Sequence, residues 1–267
     1  MNQKQPEVIG IASGKGGVGK TTVSVNLAIA LANSGKKVFL FDADLGLANA
    51  QIAMGLRTEF NFSHVLSGEK KLKDILLRHQ SGVTLVPGAS GVQQMAALGQ
   101  IETAAIIQAF SELNDDMDYL IIDMAAGISP SVLTLLGACH RKFVVVIDEP
   151  SSIADAYGVI KVMLQEKQNE EFFLIQNRVE SSSSGLQLFN RINDVCIKFL
   201  DHSIKNLGSI NKDESLLQAL RNRKSIFEQA MGSLSARDFK ELAESVIELK
   251  PVEKSNGGLE FFVERRA

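Results

Sequence analysis

Six side chains stand out for the chemistry they can do together: Lys15, Lys20, Thr21, Asp42, Asp44 and Asp123. The first three lie in Gly14-Lys15-Gly16-Gly17-Val18-Gly19-Lys20-Thr21-Thr22, which follows the apolar run Val8-Ile9-Gly10-Ile11-Ala12 and opens an amphipathic segment. A strand must therefore turn into a helix there. Glycines at such a junction let the backbone close around anionic oxygens with its N–H groups pointing inward. Lys20 then places a point charge by the β- and γ-phosphates, and Thr21 offers a hydroxyl to Mg²⁺. The expected ligands are ATP and Mg²⁺. Lys15 has a different position. A cation directly after the first glycine can point away from its own protomer's phosphates, reach a partner's nucleotide and act in trans as an arginine finger does.

Phosphoryl transfer asks for charge neutralisation and an oriented water rather than covalent steps. Lys20, the loop N–H groups and Mg²⁺ on Thr21 supply the first. Asp123 ends the apolar Leu120-Ile121-Ile122 and can hold the metal through its water shell, or cap a helix. Asp42 and Asp44 are two apart, so an extended chain points them the same way. Two like charges beside phosphate are costly unless metal or an attacking water offsets them. Asp44 is expected to orient that water and Asp42 to support the metal, with helix capping as the competing role. Gly14, Gly16 and Gly19 with Asp42 also fit a dinucleotide fingerprint, but that reading gives no reason for Lys20-Thr21-Thr22.

Strand-like apolar runs recur at 8–12, 37–41, 83–86, 119–122, 143–147, 172–175 and 207–210. Helical patterns lie between or after them at 20–33, 103–113, 131–139, 153–168, 186–199, 215–223 and 236–249. This alternation predicts an α/β fold, a doubly wound, mostly parallel sheet flanked by helices, with ligands outside the carboxyl ends of the strands. The candidate residues do fall at those ends, as do Asp148, Glu149 and Asn177. Ser181 to Gly185 reads as a loop into the next helix. With 267 residues, 45% hydrophobic, the chain can bury one large domain. Its organisation reads as a polar tail at 1–7, an ATPase domain at 8–250, and a linker with a C-terminal segment at 251–267. A net charge of −3 disfavours nucleic acid as a partner, and direct DNA binding is not expected. Cys139 and Cys196 lack C-x-x-C spacing, and no apolar run is long enough for a signal core or a membrane span, so a cytoplasmic protein is expected.

The loop, together with Asp42-Ala43-Asp44-Leu45-Gly46-Leu47-Ala48-Asn49 and Asp123-Met124-Ala125-Ala126-Gly127-Ile128, resembles the deviant Walker A ATPases of the MinD/ParA class. These are P-loop NTPases of SIMIBI type. Asp148-Glu149-Pro150-Ser151-Ser152-Ile153-Ala154-Asp155-Ala156-Tyr157 and Leu259-Glu260-Phe261-Phe262-Val263-Glu264-Arg265 point within that class to the flagellar-number regulators of the FlhG (FleN) type. The resemblance implies an ATP-sandwich homodimer in which Lys15 contacts the partner's nucleotide, Asp44 positions water and the segment after Asp123 senses the γ-phosphate. It also implies that Asn177 and the Asn211-Lys212-Asp213 turn frame the adenine. Implied partners are an FlhF-type GTPase, a flagellar master transcription activator and switch-complex proteins, with action at a cell pole. Met124, Arg178 and Asn211 depart from the usual pattern, while every group facing phosphate is kept.

Leu259, Phe262 and Val263 fall at i, i+3 and i+4 beside Arg265 and Arg266, which is similar to a helix that makes reversible contact with the inner membrane surface. As a strand, Leu259, Phe261 and Val263 share a face instead, so docking on the chain's own domain is the competing expectation. Two further functions share the loop's chemistry: a division-site or DNA-partitioning ATPase, and a binding module regulated by ATP occupancy with negligible turnover. An iron–sulfur carrier is disfavoured because Pro130, not cysteine, follows Asp123 at the relevant distance.

Overall fold

The computed structural model describes residues 6–46, 48–89, 99–111, 113, 117–166, 170–252 and 259–262. Leu47 of the second motif, Met1 to Gln5, and Val263, Glu264, Arg265 and Arg266 of the tail lie outside the described residues. The strands are β1 (Glu7–Ala12), β2 (Val38–Ala43), β3 (Leu77–Arg78), β4 (Thr84–Val86), β5 (Tyr119–Met124), β6 (Arg141–Val146), β7 (Phe172–Val179) and β8 (Lys205–Asn211). The helices are α1 (Lys20–Asn33), α2 (Ala50–Ala53), α3 (Phe62–Leu66), α4 (Gln100–Ser111), α5 (Pro130–Gly137), α6 (Pro150–Glu166), α7 (Ser182–Leu200), α8 (Glu214–Arg221), α9 (Ile226–Ala230) and α10 (Leu234–Glu248).

One eight-stranded sheet runs in the order β3-β4-β2-β5-β1-β6-β7-β8. All neighbours are parallel except β3 and β4. The chain builds leftward from β1 first and then returns to its right with β6, which places the reversal beside β1, where such sheets bind ligands. Strand residues alternate between two cores. Val8, Phe41, Leu120, Ile122 and Val144 face the layer made with α4–α7. Ile9, Ile11, Leu40, Ile121 and Val145 face the layer made with α1 and α8–α10. Covering on both faces explains why the strands read as unbroken apolar runs.

Two expectations need correction. Ser182 to Gly185 form the first turn of α7, because the Ser181 hydroxyl accepts from the Ser184 N–H and the Ser184 side chain bonds back, a capping box. In the described part of the tail, residues 259–262, there is neither helix nor strand. Residues 261–262 form a turn in which Phe262 takes φ 59°, so both rings turn inward while Leu259 stays exposed. Phe261 meets Phe110 edge-on at 5.5 Å, beside the Phe41–Phe62–Phe110 cluster. The described tail therefore docks on its own domain. Phe261→Ala is expected to cost about 3 kcal/mol of stability, as for truncating a buried aromatic ring. Urea unfolding without lipid measures this; a change near zero would mean that the ring is undocked in solution.

Candidate functional site

The loop between β1 and α1 is shaped by contacts that leave no room for a side chain at its first and last glycines. A Cβ on Gly14 would sit 2.3 Å from the Asp155 carbonyl oxygen, and one on Gly19 would sit 2.4 Å from the Asn177 Nδ2. Gly17 and Gly19 also take φ of 82° and 91°, conformations that glycine adopts without strain. Asn177 donates to the Val18 carbonyl at 2.7 Å, and the Gly127 N–H donates to the Ser13 carbonyl at 2.9 Å. The ends of β7 and β5 thus hold the loop from two sides.

Beneath it lie three ionisable groups. Asp42 and Asp123 are register neighbours on β2 and β5, each 1% exposed. The Lys20 Nζ is 3.8 Å from Asp123 Oδ1, which also accepts from the Ser24 hydroxyl at 3.0 Å. Among the described residues Asp123 Oδ2 is buried with no hydrogen-bond partner. An orphaned carboxylate oxygen beside the Thr21 hydroxyl suits a hard cation that takes oxygen ligands, so the residues fit Mg²⁺. Burial pushes the Asp123 carboxyl above its ordinary range, against the pull of the Lys20 ammonium.

Asp42 is engaged differently. Its Oδ2 accepts from the Asn49 and Ala50 N–H groups at 2.8 and 2.7 Å, and its Oδ1 from the Asp44 N–H at 3.2 Å. It pins the loop after β2 and the start of α2, so capping, the competing role, is what its contacts display. Burial, then the Asp123 charge, push its carboxyl up from 3.8 to about 7 against those three N–H groups. A raised acid favours its neutral form in the fold, so this contribution to stability is complete below pH 3.8 and is lost as pH rises through about 7. Nucleotide-free protein is expected to melt at a lower temperature at pH 8 than at pH 5.5, and Asp42→Asn to flatten that slope. The carboxyls of Asp213 and Glu228 lie below their ordinary values and act only under more acid conditions. Melting curves across that window check the sign.

Two adjoining cavities open at the carboxyl ends of the strands. The smaller, about 250 Å³, is lined by Ser13, Lys15 to Gly17, Gly19 to Thr22, Asp44, Asn49, Ala126 and Arg178. It is the mouth formed by the glycine loop, and half-buried Asp44 lines it. The larger, about 570 Å³, is lined by Asn177, Val179, Asp213, Leu216, Leu217 and Leu220 among others and is sized for a base and ribose. Asn177 and Asp213 are thus brought together there. Asp213 is also committed to structure, since it caps α8 through the Ser215 N–H and holds the Ser235 N–H and hydroxyl. Burial would raise it, but the bonds from Ser235 and Ser215 keep it below the ordinary range. The Asn211 amide is turned inward to Asp238 at 3.0 Å.

Lys15 stands on the rim, 38% exposed, with its Nζ 2.8 Å from Glu149 Oε2 and 2.9 Å from Ser151 Oγ. Those two partners were not anticipated. Glu149 could be placed at the mouth from the end of the Phe143 run, but nothing local pairs it with a lysine 134 residues away.

The chain matches known proteins in sequence and in fold. A family model named ParA, described as NUBPL iron-transfer P-loop NTPase, matches residues 4–247. The chain belongs to the ParA family of P-loop NTPases. It is 41% identical to the antiactivator FleN of Pseudomonas aeruginosa over 97% of this chain and 92% of that one. It is 33% identical to the flagellum site-determining protein YlxH of Helicobacter pylori over 99% of this chain and 90% of that one. The septum site-determining protein MinD of Pyrococcus horikoshii, complexed with Mg-ADP, is 25% identical, with a TM-score of 0.75 over 91% of this chain and 97% of the other. ParA-family proteins hydrolyse ATP. Iron transfer belongs to the description of the family model. In this ParA-family chain Cys139 and Cys196 are buried, which pushes their thiols up to about 12 and about 11, and buried thiols of that kind are inert.

Proposed function

We propose that the chain is an ATP-hydrolysing switch that pairs with a second copy when loaded with ATP and regulates the number or placement of polar flagella through partner proteins. The observation on which this rests is the split of the two loop lysines. Lys20 is buried over the phosphate cradle, whereas Lys15 sits half-exposed on its rim, where a second protomer's phosphates can reach it. The relatives add direction. FleN is named an antiactivator and YlxH a flagellum site-determining protein, so restraint of a flagellar transcription activator and selection of an assembly site are the functions we assign.

In this reading the loop N–H groups and Lys20 hold the β- and γ-phosphates, and Asp44 orients the attacking water. Thr21 and Asp123 hold Mg²⁺, with Asp42 supporting it by fixing the loop that carries Asp44. The cation, when bound, neutralises charge on the phosphates. Asn177 lines the base cavity and Asp213 shapes its wall. The docked tail of 259–262 favours attachment to the chain's own domain over membrane contact. Sedimentation with ADP and with a slowly hydrolysed ATP analogue tests the switch. Monomer with ADP and dimer with the analogue are expected; a monomer in both overturns it. Deletion of the gene tests the target, since altered flagellar number with normal division supports the assignment and a division defect points instead to a septum-site role.

A further inference from the structure

Arg178 holds an unusual place in the sheet. β7 and β8 slip register between Asn177, opposite Ile210, and Val179, opposite Asn211, so Arg178 is the extra residue of a bulge, a device that re-aims a side chain. Its φ is 56°, a left-handed conformation that a non-glycine residue keeps only where its surroundings impose it. Its neighbours Asn177 and Val179 are buried while Arg178 is exposed.

The side chain is aimed at the site. Arg178, Gly19 and Thr22 are the three residues common to both cavities, and its Nη2 stands 3.7 Å from where a Cβ on Gly19 would lie. The four acids that line the larger cavity are engaged elsewhere. Asp148 pairs with Arg191, Glu149 with Lys15 and Glu180 with Lys212, while Asp213 holds Ser215 and Ser235. Among the described residues no carboxylate pairs with Arg178. A planar cation with five donors therefore stands uncommitted over the boundary between base and phosphate cavities.

We propose that Arg178 binds the α-phosphate of the nucleotide within its own protomer. The inference rests on the nucleotide reading above. A nucleotide with its base in the larger cavity and its outer phosphates in the loop crosses that boundary at the α-phosphate, whose paired oxygens suit a guanidinium. Lys20 faces the outer phosphates and Lys15 is turned to Glu149 and Ser151 on the rim, so the contact is a separate one and is common to ADP and ATP.

Calorimetric titration of the full chain with ADP and with ATP tests this. Arg178→Ala is expected to weaken both by the same factor, about tenfold or more, as for losing a charge-assisted hydrogen bond. Arg178→Lys, which keeps the charge but loses the paired donors, is expected to bind both nucleotides more tightly than the alanine variant and more weakly than wild type. Arg178→Gly relaxes the positive φ, so it is expected to melt above wild type without nucleotide and yet to bind ADP as weakly as the alanine variant, which separates a lost contact from a damaged fold. Wild-type affinity for ADP in the alanine or glycine variant overturns the proposal, as does a loss confined to ATP or a lysine variant no better than alanine. Failure of wild type to bind either nucleotide would instead overturn the nucleotide reading itself.

Discussion

Lys15→Ala is expected to lower ATP turnover by about 10³-fold or more, the scale set by cations supplied in trans to a transferring phosphoryl group. Binding of ATP to a single protomer should change little. The split follows from geometry, because Lys20 is the buried lysine beside Asp123, and Lys15 is bonded to Glu149 and Ser151 at the rim. Removing Lys15 leaves the cradle whole and takes away only what a second copy would receive. Phosphate release, ATP titration and sedimentation together distinguish the cases. Turnover close to wild type with dimerisation intact would leave Lys15 a solvated surface cation. Glu149→Gln is the companion variant. The pair it removes is half-exposed, so the fold should be unaffected, while Lys15 is released from its own protomer and pairing should need less ATP.

Asp44→Ala is expected to slow hydrolysis by about 10²- to 10⁴-fold, the usual contribution of a group that positions or deprotonates the nucleophile. ATP affinity should be kept and the ATP-loaded dimer should accumulate. The Asp44 N–H donates to Asp42, and Asp42 in turn is immobilised by Asn49 and Ala50. These bonds brace the backbone at Asp44, as orientation of a water requires. Single-turnover phosphate release decides the point, because equal rates in variant and wild type would remove the role assigned to Asp44. Such a result with nucleotide binding preserved would favour a module governed by ATP occupancy.

The parallel sheet was legible because its strands, apolar on both faces, alternate with amphipathic helices, and all seven expected strands are present. The short pieces were not. β3, α2, α3 and α9 span two to five residues, too few for a periodicity, and they are held by packing and caps. Ser181 to Gly185 misled for a related reason, since serines that suit a loop also cap a helix, and only the Ser181–Ser184 bonds tell which.

The same division runs through the site. Gly14 to Thr22, Asp42, Asp44 and Asp123 could be placed at one mouth of the sheet from the chain alone, because a strand-to-helix turn and strand ends are local features with a fixed direction. What each acid touches could not be assigned. Asp42 turned to backbone N–H groups and Asp123 to Lys20 and Ser24, a choice set by which strand lies beside which. Lys15 with Glu149, Arg178 over Gly19, and Phe261 on Phe110 each join residues more than a hundred positions apart. Such contacts carry no local spacing signal. The first two exist because the order of strands sets β6 and then β7 to one side of β1, and the third because the tail packs on α4.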